Sequence, residues 1–328
     1  AVVASDDPRY LGQEFDPGDR AAQILADLEA AAASGGVSLD ELAAAQVDSR
    51  ALRTSAILAG LDLANRRTAI SDPGALGLID ALAAWDGTCG VESVGCAAYT
   101  ALELRLTANI VGDELGDLAR DWVGNVFSWV VLERWLAEPT PSAWWDDVRT
   151  SGVSETRDEV IARSLVGAAA DLAAANGGSG LPTWGAIHTL RLQEQTLGRS
   201  GIAPIEALFD HGPYPAPGVN GAPENLYYDA GNATTGLATA TGPDVADALR
   251  IDLRKAFAVR AGPSYRLAVD VGDWDGARVI IPGGQSGSLF DPHDGDLTER
   301  FLGRQWLDFP FSPEAVRAAA TGTLTLTP

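Results

Sequence analysis

The stretch Gly262-Pro-Ser-Tyr-Arg-Leu-Ala-Val-Asp-Val-Gly272, continued by Ile281-Pro-Gly-Gly-Gln-Ser-Gly287 and closed by Asp291-Pro-His-Asp-Gly-Asp296, governs the reading of the chain. Between Tyr265 and Ile281 apolar residues alternate or run on, with Leu267, Val269, Val271, Val279 and Ile281 as strand positions. Gly272-Asp-Trp-Asp-Gly276 supplies turn chemistry between them. Taken alone, these residues spell a β-hairpin feeding a glycine-rich loop, and such a loop specifies no reaction.

Working outward, 328 residues are enough for a substantial core in one large or two modest domains. A formal net charge of -22 argues against a nucleic-acid partner, which requires clustered cations, and it disfavours anionic membrane surfaces. The acidic residues are spread along the chain, as on a soluble, self-repelling surface. No apolar run reaches the length of a membrane span. Lys255 is the only lysine and methionine is absent, so a chain processed from a longer precursor is expected. Cys89 and Cys96 are too few for a structural zinc site. They read as a disulfide closing a short loop in an exported protein, or as two reduced thiols in a cytoplasmic one.

Residues 1–18, with Asp6-Asp7-Pro8 and Asp16-Pro17-Gly18, read as irregular connection. From Asp19, Ile24, Leu25, Leu28, Ala31 and Ala32 fall on one helical face, which Ser34-Gly35-Gly36 ends. Ser38-Leu-Asp-Glu41 is a capping box, and the helix after it is predicted to run through Leu42, Gln46 and Leu52 towards Leu58. Helices are predicted around Leu76 to Trp85, Tyr99 to Val111, Trp122 to Leu136 and Glu155 to Ala175, the last ending at Asn176-Gly-Gly178. Beyond about residue 195, glycine and proline become dense and short β-prone runs replace the helices, including Leu226 to Tyr228, Tyr265 to Val271 and Gly322 to Leu326. The expected class is α+β, mainly helical over 19–195 and mainly β over 196–328. Of the three histidines, His188 reads as a structural residue, His211 as an exposed loop residue, and His293 as part of the closing loop.

The ordered combination of Gly262-Pro-Ser-x-Arg266, the Asp270-bearing strand, Pro282-Gly-Gly-Gln-Ser-Gly287 and Pro292-His293 resembles the penicillin acylase family. Other segments match the family in the same order. Asp19-Arg20 is similar to its Asp/Gly-x-Arg, and the segment from Ser38 to Asp48, with Gln46 and Asp48, to its Leu-x-x-x-Gln-x-Asp helix. Leu82-Ala-Ala-Trp85-Asp-Gly87 and Thr183-Trp184-Gly-Ala-Ile-His188 complete the series.

The resemblance implies an N-terminal nucleophile (Ntn) hydrolase, αββα in architecture, of which this chain resembles the later part of the β chain. It implies a precursor that cuts itself, and a companion chain whose first residue, a serine, attacks a linear amide with its own α-amine as base. An amine titrating near pH 8 suits that role. Ala1 has no hydroxyl, so the nucleophile is expected in another chain. The substrate class implied is a small N-acyl amide of β-lactam, acyl-homoserine lactone or lipopeptide type, in a periplasmic or secreted enzyme. Arg20 stands at the position of an arginine that supports the family's site; read from its neighbours alone, it would pair with Asp19 or Asp16. Ser5 falls at the family's oxyanion-binding Asn, followed by Asp6 and Asp7, which only accept hydrogen bonds when ionised. That replacement motivates the alternative of a catalytically silent homologue that binds or scaffolds. No cofactor is implied beyond a structural calcium with ligands mostly outside this chain, to which Asp16 or Glu14 would contribute.

Overall fold

A computed structural model of the chain describes Arg9, Gly12 and residues 16–235 and 250–326. Among the described residues the α-helices that come first are α1 (Asp19–Ala33), α2 (Leu39–Gln46), α3 (Thr54–Leu61), α4 (Leu63–Ala69), α5 (Pro73–Ala83), α6 (Val94–Leu115), α7 (Ala119–Trp122), α8 (Val126–Ala137), α9 (Arg157–Ala175) and α10 (Trp184–Ile187). There follow β1 (Thr189–Leu192), α11 (Ala203–Phe209), β2 (His211–Pro215), β3 (Tyr227–Tyr228), β4 (Thr234–Thr235), β5 (Arg250–Ile251), β6 (Val259–Ala261), β7 (Arg266–Asp270), β8 (Asp273–Ile280) and β9 (Leu307–Asp308). Short helices at Leu253–Ala256, Thr298–Leu302 and Pro313–Ala319 accompany the later strands. Helices and small antiparallel sheets together make the fold α+β.

Two compact units share the chain, each drawing on separated stretches. The first holds the described residues up to Gln23, with Ser49–Arg191 and Gly212–Gly262; the second holds Ile24–Asp48, Leu192–His211 and Pro263–Pro328.

The first unit is organised around α6, which is buried on every side from Gly95 to Gly112 and packs against α5 and α9. Small residues let the helices approach closely: Ala97, Ala98, Ala101 and Ala108 on α6 and Ala168 and Ala169 on α9 are all buried. Each helix starts on a side-chain cap that satisfies a free backbone donor. Asp72 accepts from Ala75 N on α5, Ser93 from Cys96 N on α6, and Thr156 with Glu159 forms a capping box on α9. Among the described residues no helix is long and apolar enough to cross a membrane.

Cys89 and Cys96 are joined in a disulfide, and both are fully buried. The loop they close is a hub of backbone pairing. Cys89 N donates to Ser49 O, Trp184 N to Ser93 O, Gly185 N to Val91 O and Gly218 N to Cys89 O.

In the second unit β7, β8 and β9 form an antiparallel sheet, with Leu267 opposite Val279 and Val279 opposite Leu307. Helix α2, which starts on the expected capping box of Ser38 and Glu41, packs on β7, and Gln46 Nε2 donates to Leu267 O at 3.0 Å.

Several expectations are corrected. The helix predicted from Leu42 towards Leu58 is two helices, because Arg50 leaves the helical path to bridge to Thr88, Ala51 N donates to Gly87 O, and Arg53 takes φ 62°. The stretch from Trp122 to Leu136 breaks at Gly124, at φ 79°, where a Cβ would fall 2.8 Å from Ala230 Cβ. Leu63–Ala69 is helical although no helix was expected there. The hairpin turn is tighter than Gly272 to Gly276, since β8 already begins at Asp273. There Trp274 packs on Phe311 at 5.2 Å and Asp275 accepts from Phe311 N and Ser312 N, which holds these residues extended. Gly322 to Leu326 forms no strand and is exposed.

Candidate functional site

The start of α1 carries the residue that the sequence singles out. Arg20 lies in the first turn and is exposed. A cation there opposes the positive end of the helix dipole, so the helix does not stabilise it. Its expected ion pair with Asp19 or Asp16 is not formed: Asp19 Oδ2 is taken by Arg53 Nε at 2.7 Å, and Arg53 Nη1 reaches Glu133 Oε2 on α8 at 2.8 Å. The Asp19 hydrogen bond, and after it that of Glu133, raises the Arg53 pKa above its ordinary value. Ser5, Asp6, Asp7 and Glu14 lie outside the described residues, while Asp16 is exposed. Among the described residues no group of three or more His, Cys, Asp or Glu is gathered as a metal-ligand set.

In the interior of the same unit lies a buried acid among aromatic rings. Glu103 on α6 is 5% exposed, and burial pushes its pKa up to about 7 against the hydrogen bonds of Trp129 and Thr107, which lower it. Tyr99 and Tyr228 are likewise buried, and burial raises both phenols, with the Glu103 charge adding to the shift. The unfolded carboxyl ionises near its ordinary 4.5 while the folded one stays protonated to about 7, so stability is lost as pH rises through that window. Glu103→Gln is expected to raise stability at pH 8 by up to about 3 kcal/mol and to change little at pH 4.5. Thermal unfolding at the two pH values checks this; equal shifts at both would count against it.

The remaining motif residues of this unit pack and hydrogen-bond. Trp85 packs against Tyr99 in a tilted ring contact at 5.2 Å, its Nε1 donates to Thr88 O, and it passes so close to Gly95 that a Cβ there would lie 2.3 Å from it. Trp184 Nε1 donates to Gly218 O at 2.8 Å, and His188 stacks on Trp184 at 4.5 Å with its Nδ1 bonded to Phe257 O at 2.7 Å. Burial lowers the His188 pKa to about 4, so the ring is neutral at neutral pH and serves as packing. His188 closes α10.

In the second unit the glycine-rich loop folds against the Asp291 to Asp296 turn. A Cβ on Gly284 would lie 1.9 Å from His293 O. Exposed His293 bonds Asp296 through Nδ1 at 3.0 Å, and that carboxylate raises its pKa. His211, expected as an exposed loop residue, begins β2 instead and lies 3.2 Å from Asp294, its ring against Gly295.

Sequence reasoning missed Arg53, Glu133 and Glu103. Only Glu103 left a trace, as a carboxylate inside the run Leu102-Glu-Leu104-Arg-Leu106.

Comparison with known proteins gives two kinds of match. The family model described as Penicillin amidase matches residues 1–318. Acyl-homoserine lactone acylase QuiP of Pseudomonas aeruginosa strain PAO1 is 30% identical over 266 residues, covering 76% of this chain and 28% of that protein. The protein of the same name from Pseudomonas fluorescens strain Pf-5 is 25% identical over 254 residues, covering 75% of this chain and 27% of its own length. The chain thus spans little more than a quarter of the curated relatives it matches.

Proposed function

Since the chain belongs to the penicillin amidase family, we propose that it is the later part of the β chain of an amide-hydrolysing acylase of Ntn-hydrolase fold. The observation that carries this is the family match along residues 1–318 combined with the small share of each relative that the chain covers. On this reading residues 1–18 connect to a nucleophile-bearing segment, 19–195 form the mainly helical region, and 196–328 complete the hydrolase assembly. The nucleophile belongs to a companion chain of the same precursor.

Chemistry constrains the roles. The companion's N-terminal hydroxyl adds to the acyl carbon while its own α-amine takes the proton. The tetrahedral intermediate collapses with cleavage of the C–N bond, and the amine leaves carrying that proton. Water then hydrolyses the acyl ester. Arg20, charged and free of a carboxylate partner among the described residues, would stabilise this centre electrostatically. Ser5 would offer a hydroxyl donor in place of an amide. The relatives' name favours a small N-acyl amide, foremost an N-acyl homoserine lactone, as substrate. The buried disulfide supports a periplasmic or secreted location.

Intact mass and N-terminal sequencing of the native particle, followed by turnover of N-octanoyl homoserine lactone, test the proposal. A companion chain beginning with Ser, Thr or Cys and release of free homoserine lactone are expected. A particle with such a companion but no turnover of short or long acyl amides would favour the silent homologue suggested by Ser5-Asp6-Asp7. A particle with no companion would overturn the assembly.

A further inference from the structure

Arg53 carries two local costs. It holds φ 62° and ψ -7°, a left-handed conformation that side chains with a Cβ rarely adopt, and it places a cation at the N-terminus of α3 without capping it. Its guanidinium instead serves two carboxylates from distant segments, Asp19 34 residues before it and Glu133 80 residues after it. Nε and Nη1 each take one of them, a division that a planar fork allows and a single ammonium would reproduce only in part. Both ion pairs are partly shielded, with side-chain exposures of 22% for Arg53, 18% for Asp19 and 36% for Glu133. The clamp therefore ties the first turn of α1, which also carries Arg20, to the starts and faces of two other helices.

We infer that Arg53 is a positioning residue for Arg20: by bridging Asp19 and Glu133 it fixes the helix turn from which Arg20 acts. The inference rests on the proposed amidase reading, in which Arg20 supports the reacting centre. A strained backbone held by remote contacts is what a site requiring fixed geometry would retain, because displacement by about 1 Å can cost up to roughly 100-fold in rate. Stability alone would be served as well by glycine, which takes φ 62° without strain.

That difference supplies the test, made on the assembled protein with N-octanoyl-4-nitroaniline as probe. Turnover by the wild type and a loss of roughly 100-fold in kcat for Arg20→Ala are the starting expectation. Arg53→Gly should leave the melting temperature and far-UV circular dichroism close to wild type. It should lower kcat by roughly 10- to 100-fold with KM within about twofold. Arg53→Lys should restore part of the rate, and in the Arg20→Ala background Arg53→Gly should cost nothing further in kcat.

A wild type without turnover overturns the amidase reading and the inference together. Turnover that falls with Arg20→Ala but not with Arg53→Gly overturns the inference alone. So does an equal loss from Arg53→Gly in both backgrounds, or from Arg53→Gly with Arg20→Ala silent.

Discussion

Replacing Arg105 by methionine is expected to destabilise the chain by about 3–5 kcal/mol, because it strands the Asp171 carboxylate in the interior. Arg105 on α6 and Asp171 on α9 form a bidentate pair, with Nε 2.9 Å from Oδ2 and Nη2 2.6 Å from Oδ1. Their side chains are only 4% and 9% exposed, so water cannot replace the lost partner. Gly167 makes room for the pair, since a Cβ there would lie 3.1 Å from Arg105 Cδ. For a unit of this size the loss corresponds to a fall in melting temperature of roughly 6–20 °C. The double change Arg105→Met with Asp171→Leu should recover most of it, because a well-packed apolar pair of similar volume is often as stable as a buried ion pair. Thermal and urea unfolding of the three variants measures the coupling. A single variant as stable as the wild type would show that the pair is solvated in solution.

The second large effect is expected from the cysteine loop. Replacing both Cys89 and Cys96 by alanine removes a cross-link that, on the chain-entropy account, stabilises by about 2–3 kcal/mol. That is a fall of roughly 5–10 °C. The loop also anchors the backbone at Ser49, Trp184, Gly185 and Gly218, so its loosening should spread to those segments. Hydrogen exchange should accelerate there first. Dithiothreitol should lower the wild-type melting temperature by a similar amount and leave the double variant unchanged. A wild type that melts alike with and without reductant would refute the assignment.

Local patterns carried much of the secondary structure. The capping box at Ser38 and Glu41 and the glycine stop after α1 were legible, because a cap or a left-handed glycine acts within one helical turn. The hairpin of β7 and β8 was legible from alternation alone, although its turn was misjudged by the strand that Trp274, Asp275 and Phe311 extend. The predicted helix that ends at Gln46 and the one that breaks at Gly124 are interrupted by partners far along the chain, Gly87 with Thr88 and Ala230, which no window of sequence contains. Likewise Trp85 and Trp184 stood out as motif residues, yet only their neighbours reveal that both are packing anchors.

The sequence by itself determined the family and the strand and loop signature from Gly262 to Asp296, because motif order and turn chemistry are properties of adjacent residues. Only the tertiary structure decided that Arg53, rather than Arg20, holds Asp19, that Glu103 is a buried acid, and that Cys89 and Cys96 are bonded. Each of these depends on which groups are brought together and how far water is excluded from them. Burial and long-range pairing set a charge's strength and protonation, and neither is encoded in the residues beside it.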